Sequence, residues 1–477
     1  MAKISIPYYY KSINWEKFTK EYAPPAEFEE TVFRWPREKI EKMKEERFKR
    51  IVEFAWTNPF YQKKWREAGL EPHHIRGLED LYRIPVVTVF DFKEAIEAFP
   101  PFGKHQGITM EGAKEKPLKI QSSGGTTGKP RPTFFGPIEW EMNGLGPARS
   151  MFIQGARPGD VLQIPTTAYT ANFAWAFYYA AHAWLGMVPI TTGSGLVTPT
   201  VRQIELARDW GTNSWASFPE YMGHLAKVAM SEFGLDVRDL KNKALYTFLG
   251  PDHSGELRKE IENTWGMDVF DNYGTHEIGM ASFECKEKAG LHFQEDMGYM
   301  EIVDPDSHEP VAIGEAGDLV YTSFWRQHPP IVRYNLKDLV RFVDYGNKCA
   351  CGSWLLKMDH FLGRSDDMVK LRGTNVYPMA CLDAIKSDPR STGEWICIVD
   401  TIGKGAEARE EMTVKIEYTD ESFEKEDFKT KMEQKLKTDL GVRVTVEPAP
   451  SGSLAPLTGF GVLPKVKRLK DNRPTKR

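Results

Sequence analysis

Between residues 160 and 320, strand-like apolar runs alternate with helical ones, and that alternation constrains the fold more than any other feature of the chain. Asp160–Ile164, Met187–Ile190, Ala244–Phe248, Asp268–Asn272 and Gly317–Thr322 read as strands, while Val201–Trp210, Glu220–Met230 and Gly255–Trp265 carry helical periodicity. Such alternation implies an α/β sheet. Residues 36–70 add a helical region through Ile40, Met43, Phe48, Ile51, Val52, Phe54 and Ala55. A different pattern begins near Asp366. Trp395–Asp400, Met412–Tyr418 and Val442–Val446 read as strands, and Ser422–Leu440 as a charged amphipathic helix with Ser422 suited to its N-cap. At 477 residues the chain exceeds one ordinary core. The expected architecture is a large N-terminal α/β domain with several sheets, residues 1–365, and a small α+β C-terminal domain, residues 366–477.

A second feature points to chemistry. Residues 122–129 hold four hydroxyls (Ser122, Ser123, Thr126, Thr127), three glycines (Gly124, Gly125, Gly128) and Lys129. Glycines let backbone N–H groups approach an anion closely, and the hydroxyls and the lysine add donors. A Walker A loop is excluded: its first glycine falls at Ser123, and Pro130 follows Lys129 where a helix should open. Leu118–Ile120 and Thr133–Phe135 place the loop between two strands instead.

Three further clusters carry polar chemistry. Asp271, Asn272, Tyr273, Gly274, Thr275, His276 and Glu277 directly follow a strand-like run, where ligand sites of α/β sheets collect. A Tyr273 face can stack on a purine, Asn272 can read its edge, and Glu277 can hold Mg²⁺. Asp338 is a carboxylate in a strand-like context, suited to ribose hydroxyls or to a turn. Gly363–Gly373 lies at the domain boundary, where a hinge would fall. Separately, Cys285, His292, Cys349 and Cys351 offer three sulfurs and one imidazole, the donor set of a closed Zn²⁺ site; reduced cysteines without metal are the alternative.

Charge and cysteine usage exclude other classes. A net charge of −4 gives no bulk case for nucleic-acid or membrane binding. No apolar stretch approaches about 18 residues. Five cysteines do not suggest a disulfide scaffold, and the first residues lack a secretory h-region, so a reducing cytoplasm is expected.

The clusters together resemble the motifs of the adenylate-forming enzymes (acyl-CoA synthetases, luciferases and peptide-synthetase adenylation domains). Ser122–Pro130 looks like their phosphate loop. Tyr273–Glu277, Asp338, Gly363–Gly373 and a C-terminal lysine are similar to their other motifs, in order. Gly363–Met368, Asn58–Tyr61, Ala68-Gly69 and the run Leu78–Leu81 resemble the phenylacetate-CoA ligase branch of aryl-CoA ligases.

The resemblance implies a two-step reaction consuming ATP and coenzyme A. The loop Ser122–Lys129 would hold the β- and γ-phosphates. Tyr273 would stack adenine, Glu277 would bind Mg²⁺, and Asp338 would hold the ribose. Arg364 would lie near ribose and phosphate. Lys465 would bridge the carboxylate and the α-phosphate, with Lys467 as runner-up. Asp366 would be the hinge of a mobile C-terminal lid that brings Lys370, Arg372 and Gly373 to the thioester site. Two departures stand out. His276 occupies a position where the family puts a hydroxyl, and its charge is expected to vary near neutral pH. Pro464 precedes Lys465 where a glycine is usual. By the same resemblance Tyr169, Phe173, Trp175, Trp215, Phe218 and Gly250 border the acyl pocket. Their aromatic density favours an aryl or arylacetic acid over a long-chain fatty acid. Transfer to a carrier protein or other acceptor, a non-catalytic nucleotide-binding role, and a homodimer all stay open.

Overall fold

A computed structural model describes residues 5–123, 131–250, 252, 255–344, 346–366, 369–371, 374–403, 409–420, 422–460 and 466–473. The chain forms two compact units. One comprises Met1–Phe248 and Ile261–His360, the other Leu249–Glu260 and Phe361–Arg477.

The first unit is organised by a nine-stranded sheet. Its strands are β3 (Val161–Ile164), β4 (Val188–Thr191), β5 (Ser214–Ala216), β6 (Ala244–Thr247), β7 (Asp268–Thr275), β8 (Gly279–Glu284), β9 (Leu291–Phe293), β13 (Phe342–Asp344) and β14 (Lys357–Met358), in the order β13-β14-β9-β8-β7-β6-β5-β3-β4. From β7 to β4 every pairing is parallel; from β7 to β13 every pairing is antiparallel. Helices Thr200–Trp210, Pro219–Phe233 and Glu256–Trp265 alternate with the parallel strands, as the sequence pattern requires. All four residues of β6 are buried, the signature of a strand covered on both faces. Helix Pro137–Ile153, opened by Pro137 in its first turn, is buried along most of its length. A separate hairpin pairs β1 (Lys119–Ser123) with β2 (Arg131–Phe135), in a register that sets Ser123 opposite Arg131. Another sheet holds β10 (Gly298–Val303), β11 (Gly317–Ser323) and β12 (Tyr334–Val340), all antiparallel.

The 20-residue helix Arg37–Trp56 buries Ile40, Phe48, Ile51, Val52 and Ala55, and with them Lys44 and Arg47. Lys44 Nζ reaches Glu295 at 3.0 Å, and Arg149 Nη1 reaches both Asp296 carboxylate oxygens at 3.0 Å. Removing one partner of such a buried pair strands the other charge, at a cost of about 3–5 kcal/mol.

In the second unit, Thr445–Pro450, Arg409–Tyr418, Ser391–Ile402 and Leu469–Asp471 form a four-stranded sheet in that order. Helix Lys425–Leu440 covers it with Phe428, Met432, Leu436 and Leu440, a strict four-residue spacing. Two expectations need correction. The helix begins at Lys425, because the Asp420 carboxylate accepts the Ser422 N–H at 2.7 Å and its hydroxyl; that turn holds Ser422 outside the helix, and Glu424 is the N-cap. The strand expected at Val442–Val446 starts at Thr445 and runs through Pro448 and Pro450, which an edge strand tolerates. The basic end of the chain is docked: Arg468 donates to the Trp395 carbonyl at 2.6 Å and to Glu394 at 3.0 Å. No described helix is long and apolar enough to cross a membrane.

Candidate active site

The C-terminal end of β7, with Glu277 just beyond it, gathers polar groups from three sheets. Tyr273 is almost fully buried and its hydroxyl donates to Asp338 Oδ2 at 2.6 Å, tying β7 to β12. Gly274 follows because nothing larger fits: a Cβ there would lie 2.4 Å from the Gly279 carbonyl oxygen on β8. Thr275 Oγ1 donates to Glu277 Oε2 at 3.2 Å, and Glu277 Oε1 accepts from Arg131 Nη2 at 2.8 Å. Arg131 is the first residue of β2, so the Glu277 carboxylate is tied to one flank of the Gly/Ser/Thr segment. Burial pushes the Glu277 carboxyl up, but Arg131 and then His276 outweigh it, so it titrates below the usual range.

The other flank is anchored as well. Ser122 Oγ donates to Thr170 Oγ1 at 2.8 Å, and the Ser122 N–H donates to the Thr170 carbonyl. Ser123 ends β1 and pairs with Arg131 of β2. Gly124, Gly125, Thr126, Thr127, Gly128 and Lys129 lie outside the described residues, as do Arg372, Gly373, Lys465 and the Lys370 side chain.

Several residues have surroundings other than those expected. The Asn272 amide is committed inside the fold: Oδ1 accepts from Gln154 at 3.0 Å, and Nδ2 donates to the Thr247 and Phe270 carbonyls. It has no amide hydrogen left for a purine edge. Asp271 is buried and takes the His360 ring at 2.7 Å. His276 is partly buried with both ring nitrogens shut off from solvent; among the described residues neither nitrogen has a hydrogen-bond partner, and the ring meets Phe135 edge-on at 5.7 Å. Burial pushes its pKa down to about 4, so its charge does not vary near neutral pH as expected. In the second unit, Arg364 grips Asp366 with two bonds of 2.7 and 2.8 Å, and Gly250 has a φ of +71°.

The aromatic residues divide into two sets. Phe173 stacks on Phe218 at 4.7 Å and meets Phe248 edge-on at 5.6 Å. Trp175 donates its indole N–H to the Tyr169 carbonyl and carries Lys119 Nζ 3.7 Å above its ring. Trp215 is different. It is fully buried, packs edge-on against Trp265 at 5.1 Å and donates to Asn242, so it is core rather than pocket lining. Its position on the central strand β5 explains the burial.

At the antiparallel end of the sheet, Cys285, His292, Cys349 and Cys351 bring their donor atoms within 4.8 Å of one another. The β9–β14 pairing sets His292 opposite Lys357, and the turn Cys349–Ser353 just before it carries the other two thiols. His292 Nε2 is 3.4 Å from Cys351 Sγ. Sulfurs bound to Zn²⁺ at about 2.3 Å stand about 3.8 Å apart in a tetrahedron, so the donor set and its spacing fit that ion. The hydrogen bond from Cys351 and then burial push Cys285 up to about 12, while His292 holds Cys349 low.

Arg131, Arg326, His360 and Lys119 escaped the sequence reading. Arg326 had a signal: a lone charge inside Phe324-Trp325-Arg326-Gln327-His328-Pro329 is a charge at risk of burial.

Comparison with known proteins adds independent findings. The AMP-binding enzyme C-terminal domain family matches residues 373–473. The phenylacetate-coenzyme A ligase of Thermus thermophilus is 30% identical over 449 residues, covering 90% of this chain and 97% of the relative. That of Escherichia coli is 29% identical, covering 72% and 75%. A solved 2-hydroxyisobutyryl-CoA ligase in the postadenylation state superposes with a TM-score of 0.80 at 26% identity, covering 93% of this chain and 91% of its own.

Proposed function

The chain belongs to the phenylacetate-CoA ligase group of adenylate-forming enzymes, and from that premise we propose that it activates an aromatic carboxylic acid as an acyl-adenylate and transfers the acyl group to coenzyme A. The ligase activity itself follows from the family: an acid, ATP and CoA yield an acyl-CoA, AMP and pyrophosphate. In the first step a carboxylate oxygen bonds to the α-phosphorus while the bond to the β-phosphate oxygen breaks, and the electron pair leaves on pyrophosphate. In the second, the CoA sulfur attacks the acyl carbon, AMP departs with the C–O electron pair, and the thiol proton is lost.

The observation that carries the reading is the convergence of Tyr273, Asp338, Thr275, Glu277 and Arg131 at the end of β7. Tyr273, oriented by Asp338, is the ring this reading assigns to adenine, and the Asp338 carboxylate is the group it assigns to the ribose. The Glu277 carboxylate and the Thr275 hydroxyl are hard oxygen donors that fit Mg²⁺. When bound, that ion would supply charge neutralisation at the phosphates. The segment Ser122–Lys129 cradles the phosphates, Lys465 bridges carboxylate and α-phosphate, and Arg364 reaches ribose and phosphate. Asp366 serves as the hinge between half-reactions, with residues 366–477 as the moving lid. Catalysis of this kind is positioning and electrostatics. Phe173 and Phe218, stacked on each other with Tyr169 and Trp175 nearby in sequence, offer flat apolar surface that favours an aryl or arylacetic acid. Zn²⁺ on Cys285, His292, Cys349 and Cys351 would be structural. Five free cysteines suit a reducing cytoplasm.

A panel of carboxylic acids, followed by AMP release with and without CoA, tests the proposal. Aryl acids should give CoA-dependent AMP. Turnover of short aliphatic acids alone would overturn the substrate class. AMP release that no CoA stimulates would assign the acyl group to another acceptor.

A further inference from the structure

Glu141 is a buried carboxyl group that no cation balances. It lies on helix Pro137–Ile153 and is 1% exposed. Among the described residues no lysine or arginine pairs with it. Burial pushes its pKa up, and two tyrosine hydroxyls offset that only in part. Those hydroxyls come from distant segments. Tyr9 donates to Glu141 Oε1 at 2.5 Å, and Tyr179 donates to the same oxygen at 2.7 Å. Tyr9 opens the short helix Tyr9–Lys11, and Tyr179 ends helix Phe173–Tyr179. A packed apolar side chain would avoid the desolvation that a buried carboxyl suffers. What the polar trio supplies instead is a single orientation for the rings that it binds.

The surrounding sequence makes room for one of those rings. Gly144 lies three residues after Glu141, on the same side of the helix. A Cβ there would lie 2.5 Å from Tyr179 Cδ1. Glycine is, after proline, the residue that a helix interior tolerates least, so its place in mid-helix answers to the Tyr179 ring. Directly after Tyr179 the chain passes into a π turn, Ala180–Trp184, a rare irregularity that collects at functional sites.

Contacts lead from Tyr179 toward the candidate active site. Its ring lies 5.8 Å from Trp140, and Trp140 meets Trp175 edge-on at 6.3 Å. Lys119 Nζ is 4.5 Å from the Trp140 ring centroid and 3.7 Å from that of Trp175, so one cation bridges both indoles. Trp140 also meets Phe135 edge-on at 6.3 Å, and Phe135 contacts His276. Both indoles are partly exposed. Trp175 shares its helix with Phe173, which the ligase reading gives to the acid.

We propose that Glu141 is a positioning residue for the carboxylic acid: through Tyr179 it fixes the Trp140–Trp175 pair as a rigid wall of the acyl site, which selects single-ring acids over fused-ring ones. This role rests on the ligase reading, whose acid it helps to choose. Buried as it is, Glu141 acts through the rings and not on the acid. Loosened indoles can repack around a second ring, so selectivity between small and large aryl acids reports the clamp.

Steady-state kinetics on the full chain, followed by AMP release, test this with phenylacetate and 2-naphthylacetate. Tyr179→Phe keeps the ring and removes its bond to Glu141. It should lower the phenylacetate-to-naphthylacetate ratio of kcat/KM about tenfold and leave KM for ATP unchanged. Glu141→Leu should do the same, whereas Glu141→Gln, whose carbonyl still accepts both hydroxyls, should stay near wild type. A wild-type ratio in Tyr179→Phe overturns the proposal, whatever happens to the melting temperature. So does a parallel rise of KM for acid and ATP, which leaves a merely structural role. Equal loss of selectivity in Glu141→Gln and Glu141→Leu overturns the hydrogen-bonded link. The two readings fail separately. A wild-type chain that releases no AMP with any acid defeats the ligase; one that turns over aryl acids while Tyr179→Phe keeps the wild-type ratio defeats only the positioning role.

Discussion

Adjacent residues on β7 have opposite duties. Tyr273 turns its hydroxyl to Asp338, whereas Asn272 spends its amide on Gln154 and two backbone carbonyls. A strand alternates faces, so a motif read as one ligand surface must divide in two. His276 makes a related point about charge. Its folded pKa, about 4, lies below its ordinary 6.5, and His105 is pushed to about 4 as well, by burial and then Arg131. As pH falls, the unfolded chain therefore takes up protons first. The stability these neutral rings permit is fully present above about pH 6.5 and is lost on the way down to about pH 4. His276→Gln should flatten that slope by roughly 1–3 kcal/mol; denaturant melts across pH 4–7 that keep the wild-type slope would rule out a buried neutral ring. Trp215 and Phe218 should separate by the same logic of place. Trp215→Ala should cost about 3–5 kcal/mol of stability through its packing on Trp265. Phe218→Ala should cost less stability and raise KM for aryl acids; a KM change from Trp215→Phe in a stable protein would return Trp215 to the pocket.

At the scale of elements, the sequence was most informative where a period is long. The helix over Thr200–Trp210 was legible at Val201–Trp210 from apolar spacing, and the strand over Ala244–Thr247 at Ala244–Phe248 from a short continuous run. The start of helix Lys425–Leu440 did not, because a side-chain turn at Asp420 outcompetes the N-cap expected of Ser422. The β1–β2 hairpin was legible from the apolar flanks of the Gly/Ser/Thr segment, but the Arg131–Glu277 pair depends on tertiary approach across 146 positions and leaves no local signal. The cysteine cluster is the reverse case: residue types named it, and strand register at β9–β14 brings it together. Purified protein should carry about one zinc per chain, and Cys349→Ser should lower both zinc content and melting temperature. Gly352→Ala should destabilise the same turn, by about 1–3 kcal/mol, since φ is +91° and a Cβ would lie 2.0 Å from Arg34 Nη1. A metal-free preparation with an unchanged melting temperature on chelation would remove the zinc reading.

At the scale of the whole molecule, two units sharing one chain suit a reaction whose halves need different surroundings. Lys465→Ala should slow adenylation by about 10²–10³-fold, read as pyrophosphate release, and leave thioester formation from supplied acyl-adenylate near wild type. Equal loss in both half-reactions would deny Lys465 its assigned step. The nine-stranded sheet carries a further consequence through β7. Among the described strands of that sheet it is the one bonded in parallel on one side and antiparallel on the other. Two regions that follow different pairing rules are thus joined along a single seam. An edge can fray while its neighbours hold, but the seam cannot open without parting the halves. Amide deuterium exchange should therefore be slowest at Val269–Tyr273 and report global unfolding there, with β4 and β13 exchanging far sooner.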